Sequence, residues 1–144
     1  MTMRVLVING PNLNLLGYRQ PEIYGNESLD EIIKFTESAL KNEAVEIEWY
    51  QSNIEGEIVD RIQKSCKDGT TCLIINPGGY SHSSVSIYDA LKLLNIIIIE
   101  VHLTNTHSRE EFRKKRITAM AANIVIEGLK REVYLTAIKS QLAR

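Results

Sequence analysis

Three features of the sequence predict an α/β protein with a parallel sheet covered by helices on both faces. Short apolar, β-branched runs alternate with segments of helical period from one end of the chain to the other. The runs near residues 71–76 and 96–101 carry no polar alternation, which marks strands buried on both sides. Composed loops rich in Gly, Pro and Asn follow the strands, where an open α/β sheet places its ligand site.

The elements follow in order. Residues 4–9 read as strand one. Ser28-Leu-Asp-Glu31 then has the form of a capping box. Leu29, Ile32, Ile33, Thr36 and Leu40 lie along one face of the helix behind it. Residues 45–50 alternate apolar with polar and form strand two. Ser52-Asn-Ile-Glu55 reads as a second capping box, opening a helix with Ile54, Ile58 and Ile62 in its stripe. Asp68-Gly69 ends that unit. Residues 71–76 are strand three, 84–94 a helix, 96–101 strand four, 123–127 strand five and 131–143 a final helix. Five strands in this rhythm predict a flavodoxin-like, doubly wound sheet, in a single domain spanning residues 1–144.

Seventeen basic and eighteen acidic residues leave the chain almost neutral, which argues against a nucleic-acid partner. The longest apolar run, Ile96 to Ile99, is far short of a membrane span, and no basic amphipathic helix points to a membrane surface. The sequence enters a strand with no charged-then-apolar leader, so a cytoplasmic rather than a secreted protein is expected. Cys66 and Cys72 read as reduced, partly buried thiols, without a Cys-x-x-Cys motif.

The side chains able to do chemistry fall after the strands. His82, His102 and His107 follow strands three and four, and Arg19 and Tyr24 follow strand one, so a parallel sheet brings them to one edge. Glu100 and His102 are two apart on strand four and share a face. The carboxylate can orient the imidazole and favour its protonated form, as a general acid needs; a purely structural pair has the same spacing. Arg19 beside Tyr24 would stabilise a phenolate, since a phenol is otherwise a poor base at neutral pH; an aromatic ring packed under the loop is the alternative. Asn76 and His82 flank Pro77-Gly78-Gly79 and can hold hydroxyl or carboxylate groups, or form an ordinary turn before a Ser-capped helix. Neither a Walker motif nor G-x-G-x-x-G is present. After His102, backbone amides, a Thr hydroxyl and an Arg make a carboxylate pocket, while Lys114-Lys115-Arg116 reads as a solvated basic helix start. The histidines lack the spacing of a zinc motif, so no metal is expected.

Three motifs together resemble the type II 3-dehydroquinate dehydratases. They are Asn9-Gly-Pro-Asn12 with Arg19 and Tyr24-Gly25; Asn76-Pro-Gly-Gly-Tyr-Ser-His82 with Asp89; and Glu100-Val-His102-Leu-Thr-Asn105 with Arg109-Glu-Glu-Phe-Arg113. The resemblance runs over almost the whole chain. It implies reversible anti elimination of water from 3-dehydroquinate, giving 3-dehydroshikimate through an enolate, on the shikimate route to chorismate and aromatic amino acids. It implies no metal, no cofactor and no Schiff-base lysine. By position, Tyr24 matches the base, Arg19 its activator, Asn12 a holder of the enolate, His102 the acid and Glu100 its partner. Asn76, Leu103 and Thr104 match the site of the substrate carboxylate. His82 and Arg113 match contacts to ring hydroxyls. Asp89 matches a residue reaching the site from a neighbouring subunit, and the assembly implied is a homododecamer of four trimers.

The chain departs from that pattern in places. Ser81 and Ser83 stand where threonines are frequent, and Tyr88 replaces a commonly basic residue. Residues 126–134 lack a second glycine, and residues 114–121 differ from a serine-containing segment. Two other classes fit the sequence less well. A flavin carrier would want a Ser/Thr-rich phosphate loop after strand one, and a phosphoryl receiver would want clustered acids there. A serine hydrolase using Ser81 or Ser83 would want a G-x-S-x-G elbow, which is absent.

Overall fold

The computed structural model describes residues 2–18 and 20–142. Five strands, β1 (Met3–Asn9), β2 (Val45–Gln51), β3 (Cys72–Asn76), β4 (Ile97–His102) and β5 (Ile124–Glu127), form one sheet in the order β2-β1-β3-β4-β5. Every neighbouring pair is parallel. This is the flavodoxin-like order predicted above, with its topological switch between β1 and β3.

Alternation along the strands separates two cores. Val5, Val7, Ile74, Ile99 and Val101 pack with Ile32 of α2 (Leu29–Ala39) and with Val133, Tyr134, Ala137 and Ile138 of α5 (Glu132–Leu142). Leu6, Ile8, Leu73, Ile75 and Ile98 turn the other way. They meet Ile58 and Ile62 of α3 (Glu55–Lys64) and Ile87, Ala90 and Leu91 of α4 (Val85–Lys92). Each large aliphatic side chain fully buried here contributes about 1.5–3 kcal/mol, so the sheet is a rigid base for the loops at its edge.

Two local expectations need correction. The Ser28/Glu31 capping box is present, but the second is not. Ile54 occupies the N-cap of α3, with no side-chain cap. Ser52 Oγ instead accepts from the Ile54 amide at 2.9 Å, and the Glu55 carboxylate accepts from Ser84 Oγ across to α4. With that acceptor engaged elsewhere, Glu55 cannot close the box. In the basic run 114–116, Lys114 and Lys115 are exposed as expected, but the run opens no helix and Arg116 is not solvated. A short 3-10 turn covers Glu111–Lys114, and the Arg116 side chain is only 15% exposed, paired with Glu127.

Candidate active site

The carboxyl ends of β1, β3 and β4 converge at one edge. Asn9 and Asn76 are register partners on β1 and β3. The loops after them pack so closely that a Cβ on Gly10 would lie 2.5 Å from the Pro77 carbonyl oxygen, so only glycine permits this approach. Tyr24, Asn76, His82, His102, Leu103, Thr104 and Arg113 line a single cleft here, together with Leu13, Thr106 and Arg109. Its free volume is about 40 Å³, far below the hundreds of Å³ of an occupied small-molecule site. A small-molecule ligand needs more room than that. A larger groove of about 630 Å³ lies near the opposite edge, around Thr70, Asn95 and Asn123, with Lys92 the sole ionisable side chain among the described residues that line it. It offers no acid–base pair, so the smaller cleft is the chemically competent one.

Glu100 has no solvent exposure. A buried carboxylate is costly unless its lone pairs are met, and Glu100 is met from three sides. His102 Nε2 lies 2.7 Å from Oε2, Ser81 Oγ donates to the same oxygen at 3.2 Å, and Thr118 Oγ1 donates to Oε1. A carboxylate only accepts, so Nε2 carries its proton and His102 presents its other ring nitrogen for proton transfer. The His82 ring stacks with that of His102 at 6.5 Å between centroids. Its Nδ1 lies 2.7 Å from the Lys115 carbonyl oxygen, which also only accepts. Burial first, then the proximity of the His102 ring and the Arg113 guanidinium, holds His82 below the usual histidine range. A neutral ring with its proton on Nδ1 leaves Nε2 as an acceptor for a hydroxyl.

Tyr24 closes the short helix α1 (Pro21–Tyr24) and is half-buried. The Arg109 guanidinium stands over its ring, 5.0 Å from the centroid. Arg19 lies outside the described residues. Arg113 pairs with Glu110 at 3.1 Å. Asn76 donates to the Tyr134 hydroxyl at 3.1 Å, and that hydroxyl donates to Asn9 Oδ1 at 2.5 Å. Leu103 and Thr104 follow directly from β4, with the Leu103 carbonyl held by the Lys130 amide at 3.0 Å. Three of the predicted residues that the structure describes do not line the cleft. Glu100 stands behind His102, wholly buried. Asn12 is exposed in a left-handed conformation, its amide bonded to Asn53. Asp89 is exposed on α4.

A family described as dehydroquinase class II has a model that matches residues 3–142. The chain belongs to this family. A 3-dehydroquinate dehydratase of Clostridium botulinum is 50% identical over 135 residues, covering 94% of this chain and 91% of that protein. Another, from Aliarcobacter butzleri, is 50% identical over 126 residues, covering 88% and 76%. The crystal structure of type II dehydroquinase from Butyrivibrio crossotus aligns with a TM-score of 0.94 at 44% identity, covering 96% of this chain and 97% of that one. The enzyme from Propionibacterium acnes aligns at 0.94 with 33% identity, covering 100% and 99%.

Around the class II dehydroquinase cleft stand residues whose contacts the sequence did not single out. Thr118 is joined to Glu100, and Tyr134 to Asn76, only by tertiary packing, so neither has a spacing signal. Arg109 sits in a motif loop, but its stacking on Tyr24 depends on how two distant loops fold together. Among the described residues, no group of three or more His, Cys, Asp or Glu side chains is placed to hold a metal ion. No helix among them is long and apolar enough to cross a membrane.

Proposed function

We propose that this chain is a type II 3-dehydroquinate dehydratase. It removes water reversibly from 3-dehydroquinate by anti elimination through an enolate, giving 3-dehydroshikimate on the route to chorismate. The observation that carries the reading is the buried Glu100–His102 pair opening into the same cleft as Tyr24.

The chemistry follows from those groups. The carbon next to the ketone holds a weakly acidic proton, and Tyr24 as phenolate removes it. Arg19 and Arg109 supply the positive charge that makes the phenolate accessible. The enolate then needs hydrogen-bond donors, a role we give to Asn12, directly or through a water. Hydroxide is a poor leaving group, so His102 delivers a proton to the departing oxygen and Glu100 steadies the imidazolium. Asn76 and the backbone of Leu103 and Thr104 hold the carboxylate, while His82 and Arg113 hold ring hydroxyls. The residues named are sufficient for this path without a metal, a cofactor or a Schiff base.

The proposal extends to one catalytic domain, a cytoplasmic setting consistent with the unpaired thiols of Cys66 and Cys72, and a homododecamer of four trimers. Exposed Asp89 is then free to reach a neighbouring subunit's cleft. A direct assay tests the activity. On adding 3-dehydroquinate, the conjugated enone absorbance should grow, and enzyme treated with borohydride in the presence of substrate should keep its activity. Inactivation by borohydride plus substrate would instead indicate an imine path and overturn the proposal.

A further inference from the structure

We propose that Arg116 and Glu127 are positioning residues that clasp Thr106 and so fix the turn after β4 on which the substrate carboxylate rests. The inference builds on the function proposed above and names residues to which neither that reading nor the resemblance gives a role.

The clasp is a closed ring of hydrogen bonds. Glu127 Oε1 accepts from the Thr106 amide at 2.8 Å and from its hydroxyl at 3.2 Å. Arg116 Nη2 donates to Glu127 Oε2 and to Thr106 Oγ1, and lies 3.0 Å from His107 Nδ1. The two charged side chains are 15% and 19% exposed, and Thr106 is 3% exposed while lining the cleft. Burial alone would raise the proton affinity of Glu127. The bonds from Arg116 and Thr106 outweigh it and hold the carboxyl below its usual range, so the clasp is ionised at neutral pH.

Position in the fold explains what the clasp holds. Glu127 is the register partner of His102 at the end of the β4–β5 ladder. Beyond it, Gly128 N donates to the His102 carbonyl at 3.2 Å and Lys130 N to the Leu103 carbonyl at 3.0 Å. His102 and Leu103 are thus tied to the 127–130 segment by backbone alone. Thr106, where the chain turns away from the sheet, is tied by the clasp. Without it the turn carrying Leu103 and Thr104 is held at one end only. A buried ion pair is a weak source of stability, since apolar replacements often serve as well; what it does supply is direction, by fixing both oxygens of Glu127. Because Arg116 is committed to Glu127, it is not offered to a substrate anion; among the described residues, Arg109 and Arg113 are the guanidiniums that line the cleft. The two departures from the family pattern noted above, at 114–121 and 126–134, thereby meet as one unit.

The test compares two competitive probes, quinate and its uncharged carboxamide, on the full chain carrying Glu127→Gln, Arg116→Met, both together, or Thr106→Val. Losing hydrogen bonds that position a charged group should cost the quinate affinity about tenfold or more and leave the carboxamide within about twofold. KM for dehydroquinate should rise with a smaller change in kcat. The double variant removes both charges, so it remains informative if a lone buried charge unfolds either single variant, and Thr106→Val tests the same turn independently. An unchanged preference for quinate in the double variant and in Thr106→Val, each with wild-type circular dichroism and melting, would overturn the clasp. A wild-type chain that neither turns over dehydroquinate nor binds quinate would overturn the functional reading instead.

Discussion

His102 is locked to Glu100 by a 2.7 Å hydrogen bond from Nε2, and Glu100 is sealed from solvent behind it. The carboxylate can act on the reaction only through the imidazole. Glu100→Gln should therefore lower kcat by about 10²-fold or more, and His102→Ala by about 10²–10⁴-fold, the usual worth of a general acid. Calorimetric titration with quinate should show affinities within several-fold of wild type for both. Loss of binding in place of turnover would give the pair a structural role.

Tyr24 enters the same cleft from the loop after β1. In Tyr24→Phe the ring and its packing under Arg109 are preserved while the base is removed. Turnover should vanish and substrate binding persist. Near-normal rates by the enone assay would take Tyr24 out of the base role.

Tyr134 is wholly buried, and burial drives its phenol well above the ordinary range, so the hydroxyl stays protonated. It bridges Asn9 and Asn76 at the ends of two central strands. Tyr134→Phe leaves both amides short of a partner and should cost about 1–3 kcal/mol in urea denaturation. KM should rise as well, since Asn76 loses its orientation.

Acid stability depends in part on His82. Its folded-state proton affinity is held down by burial, so the unfolded chain takes up the proton first. The contribution is complete above the ordinary value of 6.5 and is lost as the pH falls below it toward the lowered folded value. Denaturation at pH 7.5 and 5.5 should show a smaller loss for His82→Asn than for wild type. Glu127 acts in a lower window. Its contribution is present above 4.5 and is lost as the pH falls through its depressed folded value. Glu127→Gln should flatten that more acidic limb.

Much of the fold is legible in the sequence because burial on two faces leaves an unmistakable mark. The unbroken apolar runs of β3 and β4 could be nothing but central strands, and the period of α2 fixed the side it covers. Glu100 and His102 were readable as a pair because strand geometry alone puts residues two apart on one face. What escaped depends on distant partners. Ser52 and Glu55 have the spacing of a capping box, but Ser84, on another helix, takes the acceptor. Arg116 looked solvated within a basic run, and only the β4–β5 register brings Glu127 against it. Tyr134 had no role in the sequence reading, and only the strand ends set two amides around its hydroxyl. Local pattern carries elements and faces; long-range polar partners become visible only after assembly.

The central claim is that a base and an acid work on opposite faces of one ring. It is tested most directly with two samples of 3-dehydroquinate, each deuterated at one of the two hydrogens on the carbon between the ketone and the leaving hydroxyl. The account predicts loss of the label lying anti to that hydroxyl, with the other label retained in the product, and no loss of either label in Tyr24→Phe. Loss of the label on the same side as the hydroxyl would contradict it.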